Sequence, residues 1–354
     1  MRGVLTRAAL AVVLLASCVG AACGATTTEH APPRLFASTS VWNAPVGHSA
    51  VDRSSKRRMG ALVTEVRREI RSGTGPWISD VEASTPFYVV PRHARRVFVK
   101  LDTGSWGAQL QEALARGVPI PLGAKPAAGP DEHLTVYQPS TDTLWEFWKA
   151  VHKRDGWHAS WGGVMEHVSS SPGYFTPSSY PGLKAPSGWN WGASATSLPV
   201  IAGTVRISEL RAGVVPHALA LAIPEACARV FTWPAQRTDG YSHARNCLPE
   251  GAHLRLDPTL DLSKLDLPPV TRVLAEAAQR YGIIVRDVSH HSVGFYAEDP
   301  TRTGGNPYIG PHGLYDGLRP WSFLPQFPWA DLQLVQMHTC ASAPCLPKHG
   351  AHAL

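Results

Sequence analysis

Hydrophobic positions in this chain fall mostly in short runs, several of them alternating, broken by Gly and Pro, as in strands joined by turns. Two longer segments carry the helical period instead. Met59, Leu62, Val63, Val66 and Ile70 fall on one side of an amphipathic helix of about four turns, with Arg and Glu between them. Residues 268–281 predict a second helix, closed by Gly282. Short helical stretches are predicted at 109–115 and at Glu209-Leu210. Strands are predicted at 86–90 and 97–101, joined through Pro91-Arg92-His93. A hairpin is predicted at 134–150, turning at Pro139-Ser-Thr-Asp142, and a third strand holds Trp157 to Trp161. Further strands fall at 204–207, 217–223, 228–233 and 331–337, and 283–287 and 293–297 alternate like a pair. Residues 169–191 are rich in Ser, Pro, Gly and aromatics and have no period, which predicts a long ordered loop of the kind that often carries function. The pattern predicts a mainly β single domain over 40–338, a sandwich or jelly roll with a few flanking helices.

Composition sharpens this picture. Hydrophobic residues make up 44% and charged residues 17% of 354 positions, which excludes a charge-driven disordered chain. The 31 Gly and 31 Pro are spread without a repeat and supply many turns. The 12 Trp suit β-sandwich cores or stacking on sugars. Net charge is +6, but the basic residues are scattered; 56–58 and 92–96 read as solvated surface, so no nucleic-acid partner is expected.

The first residues set an expected compartment. Arg2 and Arg7 precede a short apolar run at 8–16, too short to span a bilayer, and small residues follow: a secretory signal over 1–25. Leu15-Ala16-Ser17-Cys18 resembles a bacterial lipobox, which implies lipid attachment at Cys18; the alternative is plain cleavage after Ala21 or Ala25. A single lipid would hold the protein only at a membrane surface. Residues 26–39 read as a tether. Beyond Cys18 and Cys23 stand Cys227, Cys247, Cys340 and Cys345, an even number that argues for disulfides in an exported chain. Three pairings are possible, and the most local, Cys227–Cys247 and Cys340–Cys345, is expected, the second within a tail at 339–354. The chain has no C-x-x-C pair, and neither a metal nor another cofactor is expected.

Candidate chemistry concentrates in the middle of the chain. In Leu144-Trp-Glu-Phe-Trp148, Glu146 and Trp148 share a face, and a carboxylate beside an indole suits sugar chemistry. The plainer reading is a buried Glu paired to an Arg. In Trp157-His-Ala-Ser-Trp161, His158 could act as acid or base, and Gly162-Gly163 permits close backbone approach. His217 lies on an apolar strand face and reads either as a hydrogen-bonded core residue or as a His at a cleft. Arg206, Arg237 and Asp239 could position substrate, and Trp148, Trp161 and Trp191 could wall it. The chain lacks a G-x-S-x-G elbow, a phosphate-binding glycine loop and an H-E-x-x-H motif.

Trp157-His-Ala-Ser160, Gly192-Ala-Ser-Ala-Thr-Ser-Leu-Pro199, Gly203-Thr-Val-Arg-Ile-Ser-Glu-Leu210 and Val215-Pro-His-Ala-Leu219 together resemble the core of a group of uncharacterised exported proteins frequent in actinobacteria. The resemblance implies an exported bacterial domain and carries no activity or site residue with it. The residues themselves point to an extracytoplasmic enzyme on a polysaccharide or envelope glycan, a lyase or a hydrolase, with Glu146, His158 and His217 as catalytic candidates. His and Arg among the candidates lean towards the lyase. The alternative is a non-catalytic carbohydrate-binding or envelope lipoprotein. Oligomeric state leaves no trace in the sequence.

Overall fold

The computed structural model describes residues 34–176 and 191–346. The expected signal at 1–25, Cys18, the tether up to residue 33, loop residues 177–190 and tail residues 347–354 lie outside the described residues. Sixteen strands in four sheets and five α-helices make the described body mainly β, as the periodicity predicts.

The largest sheet has six strands in the order Trp77–Ser79, Gly294–Tyr296, Leu219–Ile223, Ile283–Val288, His253–Leu256, Leu332–Leu334. Its central strands, Leu219–Ile223 and Ile283–Val288, run parallel and are largely buried, so they read as apolar runs with little alternation. The expected pairing of 283–287 with 293–297 is corrected: Leu219–Ile223 lies between them, antiparallel to Gly294–Tyr296. Helices Ser55–Ser72 and Pro269–Arg280 share this sheet's core through Met59, Leu62, Val66, Val270 and Leu274. Glu69, and not Ile70, completes the buried stripe of the first helix. Its Oε1 accepts the Val293 N–H at 2.8 Å, which compensates burial, while Ile70 turns to the surface.

A second core lies around two smaller sheets. One holds Phe87–Val89, Leu134–Gln138, Thr143–Trp148 and Trp161–Met165; the other holds Val99–Leu101, Gly156–Ala159 and Val151–Lys153. The predicted hairpin is present, with Leu134 opposite Phe147. The predicted single strand 157–161 is corrected, because the chain passes from one sheet to the other at Ser160, so Trp157 and Trp161 serve different sheets. Gly162-Gly163 does allow close approach. A Cβ on Gly163 would lie 2.6 Å from the Phe175 ring and 2.9 Å from the Gly192 nitrogen, so only glycine lets the chain after Trp191 settle on this strand. The predicted strand at 204–207 is a single bridge at Val205, and Ile207 already opens helix Ile207–Ala212.

Both expected disulfides, Cys227–Cys247 and Cys340–Cys345, are formed. The C-terminal segment is more than a tail: Thr339–Cys340 pairs with Ala226–Thr232, and Cys345 is buried. The Cys345 N–H donates to Gln236 Oε1 and Gln236 Nε2 donates to the Cys345 carbonyl, each at 2.8 Å. The end of the expected tether is likewise folded. Phe36 is buried, and Asn43 Nδ2 donates to the carbonyls of Leu35, Phe36 and Ala37. The apolar Leu35-Phe36 pair gives this segment something to bury. Among the described residues no helix is long and apolar enough to cross a membrane.

Candidate functional site

Ile283–Val288 carries two adjacent charges, Arg286 and Asp287, in an otherwise apolar strand. Opposite Leu219–Ile223 its register slips between Val285 and Asp287, which pair with the successive residues Leu221 and Ala222. Such a bulge breaks strict alternation and re-aims side chains. Arg286 turns into the interior, its guanidinium 3.7 Å from the Tyr296 ring centroid, donating to the carbonyls of Val200 and Ala202. Asp287 faces a cavity of about 800 Å3.

Four aromatic residues help to wall this cavity: Trp77 from the edge strand, Tyr296 from its neighbour, and Trp148 with Trp161, which sit opposite each other on adjacent strands. Trp148 is fixed by donation from Nε1 to Asp131 Oδ1 at 3.0 Å. The polar groups lining the same space include Asp131, His133, Arg237, Asp239 and Asp287. Asp239, Glu250 and Asp287 each bring a carboxylate oxygen within 4.8 Å of the other two. Asp239 and Asp287 face the cavity, while Glu250 is fully buried. Glu250 Oε2 accepts the Asp239 N–H at 3.1 Å, and its Oε1 has no hydrogen-bond partner among the described residues.

This crowding sets the electrostatics. Burial, with the Asp239 charge added, pushes Asp287 up to about 7, against a smaller opposing pull from Arg286. Burial also raises Asp239, but hydrogen bonding to Glu250 and the charges of His290 and Arg237 hold it back. Burial together with both neighbouring aspartates lifts Glu250 well above its ordinary range. Burial lowers Arg237 to about 10, although four carboxylates favour its charge. Its guanidinium is spent locally, donating to the carbonyls of Ala195, Gly192 and Ser194 at 3.0, 2.9 and 2.7 Å. Burial pushes His133 down to about 4, so it stays neutral at pH 7; its Nδ1 has no hydrogen-bond partner among the described residues.

No family model, curated protein or solved structure matches this chain.

Of the residues singled out in the sequence, the cavity gathers Trp148, Trp161, Arg237 and Asp239. It does not gather the three proposed catalytic groups. Glu146 is fully buried, with Oε1 accepting from Ala193 N–H at 2.6 Å and Oε2 from Val200 N–H at 2.9 Å. It clamps the 193–200 segment, which is the plainer reading in altered form, with backbone amides as partners and Arg286 and Arg237 near enough to steady its charge. His158 spans Asp102 at 2.8 Å and Asp155 at 3.1 Å on another sheet. His217 is held between the Ala218 carbonyl at 2.8 Å and Glu209 at 3.1 Å. Arg206 pairs with Glu298 at 3.1 Å and lies over Phe87, away from the cavity. Trp191 is packed in the core and does not line this cavity. Asp131, His133, Glu250, Asp287, Trp77 and Tyr296 belong to the site without being among the sequence candidates. Two signals were available: Arg286-Asp287 inside an apolar strand, and Asp131-Glu-His133 just ahead of the hairpin.

Proposed function

We propose that this protein is an extracytoplasmic glycoside hydrolase. The observation that carries the reading is one open cavity in which indole walls meet two neighbouring carboxylates, Asp287 and Asp239, both raised by burial. Pairs of that kind divide acid and base roles between them. Asp287, half-protonated near neutrality, gives its proton to the glycosidic oxygen as the C1–O bond breaks. The Asp239 carboxylate attacks C1 from the other face. Water then loses a proton to the Asp287 carboxylate and displaces Asp239 from C1. The close spacing of the oxygens resembles the pairs of about 5–5.5 Å that retain anomeric configuration, and is short for inversion, which needs about 6.5–9.5 Å.

Lyase chemistry fits less well. It needs a cation free to meet a uronate carboxylate, whereas the Arg237 guanidinium already serves three carbonyls. Asp131, Asp239 and Asp287 also make this space unfavourable for an anionic sugar. The disulfides and the expected leader support export, with Cys18 as the candidate anchor.

A second reading is favoured by Glu250, whose buried Oε1 lacks a hydrogen-bond partner beside two more carboxylates. Three oxygens at this spacing would suit a calcium-like cation, and the cavity would then bind glycan without cleaving it. One experiment separates the two. The purified body is incubated with a panel of neutral polysaccharides, with and without chelator, and reducing ends are counted. The hydrolase reading expects new reducing ends that survive chelation and vanish in Asp287→Asn. Calcium-dependent binding with no cleavage would replace it by the second reading.

A further inference from the structure

Trp77 belongs to two spaces. It lines the cavity, and it also lines a shallow depression of about 500 Å3 with Trp321, Ile70, Gly73 and Gly75. Trp77 and Trp321 stack at 5.6 Å between centroids and 17° between planes. That stack leaves them 38% and 52% exposed, and Ile70 beside them is 38% exposed. Three separate elements meet here: the edge strand Trp77–Ser79, the short helix Pro320–Phe323 and the C-terminal end of helix Ser55–Ser72. Arg319 adds a guanidinium 5.9 Å from the Trp321 centroid. Large exposed indoles beside one another bear a cost in water, and they recur where an amphipathic ring is to be stacked.

We infer that the Trp77–Trp321 platform is an outer sugar-binding subsite of the same cleft. This rests on the glycan reading above and extends it to the size of the substrate. The occupant is a further sugar of the chain whose scissile bond lies at Asp287 and Asp239. A pyranose has apolar C–H faces for the indoles and hydroxyls for Arg319. Continuity through Trp77 leads a chain from the cavity onto the platform, so the substrate is an oligomer or polymer and short glycosides leave the outer subsite empty.

Binding is measured by calorimetry in the Asp287→Asn background, and kcat/KM with Asp287 intact, on a ladder from disaccharide to hexasaccharide of the polymer that wild type cleaves. Trp321→Ala is expected to weaken hexasaccharide binding and kcat/KM roughly tenfold, the scale of one lost aromatic stack, and to weaken the disaccharide less than about twofold. Trp321→Tyr, which keeps a ring, is expected to recover most of the loss. An equal loss at every length, or none at any, overturns the subsite and leaves the hydrolase reading standing. A wild type that neither binds nor cleaves any glycan of the panel overturns both.

Discussion

Glu146 and Asp287 invite comparison. Both sit on strands, both lie near buried arginines, and burial pushes both up to about 7. They differ in access. Each oxygen of Glu146 is taken by a backbone N–H, and nothing can reach it. Asp287 faces an open cavity with another carboxylate beside it. A raised proton affinity therefore reports desolvation by itself, and a group needs an opening beside it before it can meet a ligand.

Removing each carboxylate in turn should separate the two most widely. Asp287→Asn is expected to lower kcat by about 10³-fold, the scale of a lost general acid, while the protein stays folded. Glu146→Gln is expected to behave in the opposite sense. It places an amide NH2 where a backbone N–H needs an acceptor, so denaturant unfolding should show a loss of about 1–3 kcal/mol, with kcat/KM of the folded fraction nearly intact. If Glu146→Gln abolished turnover in a fully stable protein, the roles would be reversed.

Titration sharpens the same contrast. The pH–rate profile should fall as pH rises through about 7, where Asp287 loses its proton, and fall again at acid pH as Asp239 is protonated. Stability should also decline as pH rises through about 7. Glu146 and Asp287 both have folded values above the ordinary carboxylate range, so their contribution is complete below the unfolded values and lost above the folded ones. Asp287→Asn should therefore melt higher than wild type at pH 8, by ~3 °C, while losing its activity.

A smaller effect is expected at His217–Glu209, far from the chemistry. Burial works against charge on both, yet their mutual attraction and hydrogen bond raise His217 and lower Glu209. The pair should stabilise most between the two ordinary values, 4.5 and 6.5. The gain fades as pH rises through the folded His217 value or falls through that of Glu209. His217→Gln should flatten this dependence in thermal melts across pH and leave substrate turnover unchanged.

The sequence made some of this legible and hid the rest for physical reasons. Trp148 and Trp161 are readable as wall candidates because indoles in strands beside polar residues suit stacking on sugars. Arg237 and Asp239 stood out as polar residues in a turn. Glu146, His158 and His217 stood out for the same kind of reason, yet each is fully occupied by partners. Local pattern shows that a polar group is present and cannot show what satisfies it. Asp287 was hidden by the opposite effect. Its facing depends on a register slip against Leu219–Ile223, a partner that the apparent pairing of 283–287 with 293–297 concealed. Glu250 joins the cluster only through tertiary folding.

The two disulfides have a consequence for where this chemistry can operate. Arg237 and Asp239 lie inside the loop closed by Cys227 and Cys247, and Gln236, next to Arg237, is gripped by both backbone groups of Cys345. The cavity wall that carries Asp239 is thus braced by cross-links, while the strands of the six-stranded sheet contain neither. A thiol reductant should silence turnover at temperatures where the far-ultraviolet dichroism is still native. On the hydrolase proposal, this wall would be complete only once the chain has reached an oxidising space.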